Sequence, residues 1–438
     1  MRIRINDKKN FTDMFNQNYE KNLSMINGIT IDSRVIEPHD IFIPIKGNSI
    51  DGHQFIKEVL KVDGTICLDE KTNVINKRII KTKSNKQALI DMAALWRKRI
   101  KSDVIAITGS NGKTTIKELL YHIMKNKFTC SKSQGNHNST IGLPLTFLNC
   151  EINDQYTILE LGANKDGEIK TLCKTVQPNY SLITNISNAH IENFGSINSI
   201  AKCKSEIFSC LSENGTAFIN LNDRMIQGMD TKGKKITFGI NNKKAIYNGQ
   251  LHQNYKLIIN DFILEIPENI YYLNESILAA YAISNTLGID NITIQKAINS
   301  FTIPHGRGST INNKNYKIID DTYNASPASM KFGIERFSKI KTKNCKILIV
   351  GDMLELGQYK VEEHRRLATL INSTNIDIVL VIGDAMLHLY EKLNENYKYK
   401  AHFLNIETLK KKFKSIVKKN DIVFIKGSRK MKLEEVYN

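Results

Sequence analysis

Short apolar runs that end in polar residues recur from position 104 onward: VIAI at 104–107, YTILEL at 156–161, SLITNI at 181–186 and TAFINL at 216–221. Between them apolar residues return at helical spacing, most clearly Ile116, Leu119, Leu120, Ile123 and Met124. That alternation predicts strand-then-helix units and a parallel sheet. A second series begins at YKIIDD (316–321) and continues through KILIVGD (346–352), IVLVIGD (378–384) and IVFIKGS (422–428). Its runs close on Gly, Asp or Ser, which puts polar loops at the carboxyl ends of strands, where α/β sheets bind ligands. The first hundred residues follow a different rhythm of apolar runs and polar turns, ending in QALIDMAALWRKRI (87–100), an amphipathic stretch that predicts a helix. Pro, Gly and polar residues in 301–315 mark the break between the two later series.

The expected architecture is α/β with three domains, residues 1–100, 101–308 and 309–438. Length agrees, since 438 residues exceed one ordinary hydrophobic core and suggest roughly three domains. Composition, 41% hydrophobic and 24% charged, is that of a soluble globular protein, and no apolar run reaches the length of a membrane span. Seven cysteines without a C-x-x-C pair and a charged, signal-free N-terminus fit a reduced cytoplasm. The net charge of +18 raises nucleic acid as a partner, but the lysines are scattered and no aromatic residues interleave with them as in a base-stacking platform. No nucleic-acid partner is therefore expected, and the positive balance suits polyanionic substrates.

The first candidate chemistry lies in TGSNGKTT (108–115), between an apolar strand and an amphipathic helix. Backbone N–H groups from Gly109 to Gly112 can surround a phosphate, aided by the helix N-terminus. Lys113 would reach terminal phosphates and the Thr114 hydroxyl would hold Mg²⁺. The first glycine of the usual G-x-x-x-x-G-K-[ST] pattern falls on Ile107. Glu160 ends the next strand, as a metal-binding carboxylate or a solvated strand end. His190, in NISNAHIENFGS (185–196), could be a metal ligand or a buried, hydrogen-bonded histidine, and taken alone it reads as the second.

Taken in order, these segments resemble the Mur ligase family. Its ATP loop, T-G-[ST]-x-G-K-T-[ST], also lacks the first glycine, and its metal-binding glutamate and histidine match Glu160 and His190. AKCKSEIF (201–208) resembles the family's A-x-A-K-G-E-I-F and puts Lys204 on a lysine that is typically carbamylated. Carbamylation would turn a cation into an anionic ligand for Mg²⁺. DDTYNASPASM (320–330), VGDMLELG (350–357) followed by His364, IKGSRKMKLEEV (425–436) and IDSRVIEPHDIFIPIKGNSIDGHQF (31–55) resemble the branch that adds D-alanyl-D-alanine to UDP-N-acetylmuramoyl-tripeptide. The D-N-P-R motif of the sister ligase that adds the third amino acid is absent.

The resemblance implies an N-terminal UDP-substrate domain, a central P-loop ATPase-like domain and a C-terminal Rossmann-like domain, acting as a cytoplasmic monomer. ATP would be bound by Thr108, Gly109, Ser110, Asn111, Gly112, Lys113, Thr114 and Thr115, with Asn274, Arg307 and Asp321. Two Mg²⁺ ions would lie on Thr114, Glu160, His190 and Lys204 as N6-carboxylysine, with Lys113, Glu160, His190 and Lys204 carrying catalysis. Ser33, Arg34, Lys46, Gly47, Asp51, His53, Asn138, Tyr323, Asn324 and Ser326 would contact UDP-N-acetylmuramoyl-tripeptide or D-alanyl-D-alanine. The chain departs from the family pattern at Leu273 and Ser276, where adenine-contacting asparagines are expected, and at Ser205, Ser326 and the Asn138–Ser139 pair. Other readings are a different amide ligase of the family, a folate-polyglutamate-type relative, a nucleotide-regulated P-loop protein and a nucleic-acid-dependent ATPase.

Overall fold

The computed structural model describes residues 1–438 except 48, 136, 190 and 314. Three sheets follow one another along the chain, of five, nine and six strands. Every apolar run singled out above is a strand: Asp103–Thr108, Tyr156–Glu160, Tyr180–Ile183 and Thr216–Asn220 in the second sheet, and Lys317–Asp321, Lys346–Gly351, Ile378–Ile382 and Ile422–Lys426 in the third. All eight pair in parallel with their neighbours within these groups. Their side chains are buried almost throughout, as expected for strands covered by helices on both faces.

The second sheet is larger than the periodicity predicts. Lys234–Ile240 and Tyr247–His252 extend it in parallel, Lys256–Ile259 and Phe262–Glu265 end that side as antiparallel strands, and Cys130–Lys132 forms the opposite edge in parallel. These strands are half exposed and separated by Asn-containing turns, so their apolar pattern is short and diluted.

The first sheet, Arg2–Lys81, is joined to the second by the helix Asn85–Arg97. Trp96 on that helix is fully buried, meets Phe11 edge-on at 5.5 Å and donates its indole N–H to the Cys150 carbonyl at 3.2 Å. One hydrophobic core thus runs from the N-terminal sheet into the central one. All seven cysteines are free, and no helix among the described residues is long and apolar enough to cross a membrane.

Candidate active site

The strand Asp103–Thr108 delivers the chain into the glycine loop, and the helix Lys113–Met124 leaves it. Ile107 is wholly buried in the sheet, so the loop begins two residues later than in the common pattern. Gly109 holds φ +142°, and a Cβ there would fall 2.0 Å from Thr184 Oγ1. Gly112 caps the helix at φ +80°. Both positions are open to glycine for steric reasons. The first N–H groups of the helix lack intrahelical acceptors and open on a cavity of about 380 Å³, a ready site for an anion.

That cavity is lined by Ser110–Thr115, Asn138, Glu160, Lys204, Arg307, Asp321, Tyr323, Asn324 and Ser326, among others. It therefore brings together residues spread over more than two hundred positions of the chain. Thr114 Oγ1 donates to Glu160 Oε2 at 2.7 Å and accepts from Arg307 Nη2 at 2.8 Å. Asn138 Nδ2 donates to the other Glu160 oxygen at 2.7 Å. Glu160 is 3% exposed, so both of its oxygens are aimed rather than solvated. Lys113 Nζ turns back onto the Gly109 carbonyl at 2.7 Å, and burial, aided by the nearby Lys204 charge, brings its pKa down to about 8.

Lys204 lies on the helix Ile197–Ser209 and is 3% exposed. Among the described residues no hydrogen bond or ion pair engages its amine, and burial lowers its pKa against the pull of Cys203, Glu168 and Glu160. From the third sheet, Asp321 pairs with Lys426 at 2.7 Å, and Lys426 also donates to the Asn324 carbonyl at 2.9 Å. Burial raises the Asp321 pKa while Lys426 opposes the shift. Tyr323 lies under the Arg307 guanidinium at 3.6 Å. Ser326 caps the helix Pro327–Ser338 and donates to Asn111 Oδ1 at 3.2 Å, a direct bond between the third sheet's loop and the glycine loop.

Several expected residues stand elsewhere. Thr108 is fully buried and turns its hydroxyl onto the Leu161 carbonyl, away from the cavity. Asn274 lines an adjoining cavity of about 1050 Å³ with Tyr271 and Arg336; Tyr272 and Phe332 form the wall common to the two. Ser276 comes closer to the loop, its hydroxyl 3.8 Å from where a Gly112 Cβ would be. The N-terminal group contributes nothing to the main cavity's walls. There Arg34, on a turn with Ser33, forks onto Asp32, and the backbone of Lys46 pairs antiparallel with that of Asp51. Asp51 is held well below the usual carboxylate range by Lys71 and His53. His53 is 5% exposed and engaged by Asp51 at 2.6 Å and Asn85 at 3.2 Å, so it braces this loop from within. His190 lies outside the described residues.

Lys117 carries no motif and was missed by sequence reasoning, yet it is 0% exposed. Its Nζ donates to the carbonyls of Ser133 at 2.8 Å and Gly135 at 3.0 Å, fixing the loop that carries Asn138 to Glu160. The one sequence signal was a lysine on the apolar stripe of Ile116, Leu120 and Met124. Lys117→Met is expected to cost about 1–3 kcal/mol for each carbonyl left unpaired. The urea-unfolding midpoint measures that cost, and an unchanged midpoint would refute the assignment.

Two consecutive α/β units whose loops converge on one cavity at a helix N-terminus, preceded by a third α/β unit, define a multidomain, nucleotide-using enzyme. Family models agree: the Mur ligase middle domain matches residues 107–289, the Mur ligase glutamate ligase domain 306–429, and the Mur ligase family catalytic domain 25–102. The UDP-N-acetylmuramoyl-tripeptide–D-alanyl-D-alanine ligase of Rickettsia prowazekii is 33% identical over 94% of each chain. Among solved structures, MurF from Acinetobacter baumannii superposes with a TM-score of 0.85 at 25% identity, covering 97% of both chains. MurF from Thermotoga maritima in complex with ADP gives 0.80 at 28% identity over 93% of this chain and 96% of that one. The chain belongs to the Mur ligase family, and within it to the MurF type.

Proposed function

We propose that this chain joins D-alanyl-D-alanine to UDP-N-acetylmuramoyl-tripeptide at the cost of ATP, yielding the pentapeptide precursor of peptidoglycan with ADP and phosphate. The observation that carries the reading is the convergence of Lys113, Glu160, Lys204, Arg307 and Asp321 on one cavity bounded by two sheets. A carboxylate oxygen is a poor leaving group, so amide formation in water needs an activated acyl donor. Attack of the tripeptide's terminal carboxylate on the γ-phosphate of ATP gives an acyl phosphate and ADP. The neutral amine of D-alanyl-D-alanine then adds to the carbonyl, and the tetrahedral intermediate expels phosphate.

All reacting groups but the amine are anionic, so cations carry the catalysis. Lys113 and Arg307 would neutralise charge on the transferring phosphoryl group, with the loop N–H groups cradling its neighbours. Asp321 would hold the ribose, and Tyr323, Asn324 and Ser326 would close the site from the third sheet. The N-terminal loop of Ser33, Arg34, Lys46, Gly47 and Asp51 would bind the UDP-sugar, with His53 supporting it.

The donor set fits magnesium: a carboxylate oxygen of Glu160 and the hydroxyl of Thr114, both oxygen donors, lie 2.7 Å apart in a buried recess. Thr114 and Glu160 would hold one ion, and His190 with a carbamylated Lys204 a second. A buried lysine with a lowered pKa and no partner among the described residues suits carbamylation, because the neutral amine adds to CO₂ and releases a proton. When bound, the ions would spread the negative charge of the phosphoryl group.

Phosphate release tests the reading. Turnover is expected only when ATP, UDP-tripeptide and D-alanyl-D-alanine are all present; ATP hydrolysis driven by DNA or RNA without the peptide substrates would overturn it.

A further inference from the structure

The segment VGDMLELG and His364 belong to no part of the mechanism above, yet they form one tightly bonded unit. After the strand Lys346–Gly351, the Asp352 carboxylate accepts the N–H groups of Met386 at 2.9 Å and Ala385 at 3.3 Å. The next two residues are pinned by separate side chains. Met353 N–H donates to His364 Nε2 at 3.1 Å, and Leu354 N–H donates to Ser428 Oγ at 2.9 Å. His364 is 0% exposed and donates from Nδ1 to the Lys360 carbonyl at 2.6 Å, which makes it a neutral imidazole with Nε2 as acceptor.

What these anchors hold is a strained turn. Glu355 sits at φ +62° and Gly357 at φ +51°. In that conformation the Glu355 carbonyl accepts the N–H of Glu192 at 3.2 Å, and Gly357 packs against the Glu192 side chain, with room for a Cβ only at 3.3 Å. Glu192 lies in the short helix Ile191–Phe194, which leads into the helix that carries Lys204. A non-glycine residue at positive φ is strained and persists only where its surroundings impose it.

We propose that His364 is a positioning residue for ligation: with Ser428 it holds the 352–357 turn so that the Glu355 carbonyl docks on Glu192 and seats the third sheet's loops over the Lys204 side of the cavity. Doubly protonated, His364 would turn an N–H toward the Met353 N–H and release the anchor. Burial, with the charges of Lys360 and His388, opposes that protonation; the Lys360 carbonyl and Asp352, 4.0 Å from Nε2, favour it, and burial prevails, so the pKa is lowered. The anchor is consequently lost only as pH falls below the ordinary histidine range.

The inference uses the ligase reading for its rate measurements, and a second readout is independent of it. Hydrogen exchange in the ligand-free protein should show the Glu192 amide protected, with faster exchange across 191–194 in His364→Ala and in Ser428→Ala. Both variants are expected to lose about tenfold to a hundredfold in kcat, as small misplacements at a reacting centre do. His364→Gln, which keeps an acceptor for Met353, should recover most of the rate and lack the acid limb of the wild-type pH profile. If His364→Ala does not fold, Ser428→Ala with His364→Gln decides the matter. Unchanged exchange at 191–194 with unchanged kcat would overturn the proposal. Altered exchange in a protein with no ligase activity would leave the docking intact and overturn the functional reading alone.

Discussion

Replacing Lys204 by alanine is expected to lower the ligation rate by about a hundredfold to a thousandfold, the equivalent of about 3–4 kcal/mol of transition-state stabilisation. The physical ground is the side chain's position. A lysine only 3% exposed, lining the cavity with Glu160 and Lys113, would repel a metal ion as an ammonium and bind it as a carbamate. If its role is to present a carboxylate, that group can be supplied from solution, so a small added carboxylic acid should restore part of the lost rate. Steady-state turnover of the variant with and without the acid measures both effects. Full activity in Lys204→Ala would end the carbamate assignment, and a loss without rescue would reduce Lys204 to a packing role.

The second large effect concerns Lys113. Lys113→Met should also cost about a hundredfold to a thousandfold in rate, because the variant keeps the length of the side chain and loses its charge where phosphoryl charge develops. Its pKa of about 8 adds a test with a definite sign. A bound phosphate would raise that pKa, so nucleotide binding above pH 8 should take up a proton. Calorimetry of ADP binding at about pH 9, in buffers of different ionisation enthalpy, should show that uptake in the wild type and none in Lys113→Met. Without ligand the sign is equally defined. The unfolded chain holds this proton up to about 10.5 and the folded one only to about 8, so Lys113 adds to stability as pH rises through that window. Proton release on binding would contradict the placement of Lys113 on the phosphates.

The parallel strands were legible because burial on both faces writes them as unbroken runs of Ile, Leu and Val. The strands from Lys256 to Glu265 were not, because they sit at the sheet's edge with one side to solvent, and short alternation there resembles a loop. Among site residues, Lys113, Thr114 and Glu160 could be read from their positions at strand and helix ends. Lys117, Ser428 and Lys426 could not, since their partners Ser133, Leu354 and Asp321 are distant in the chain. Thr108 shows the opposite limit: it matches the loop motif letter by letter, yet strand alternation points its hydroxyl into the sheet.

Composition, periodicity and the glycine loop by themselves determined the α/β class, the two series of parallel strands and the phosphate-binding turn, because each depends on neighbours within one strand or helix. Glycine is required at 109 by Thr184, a contact that folding alone creates. Tertiary structure decided which carboxylate faces the Thr114 hydroxyl, which lysine is left buried without a partner among the described residues, and which loops of the third sheet close the cavity. Hydrogen-bond reach is about 3 Å, and residues such as Thr114 and Arg307 come within it only when separate sheets pack together.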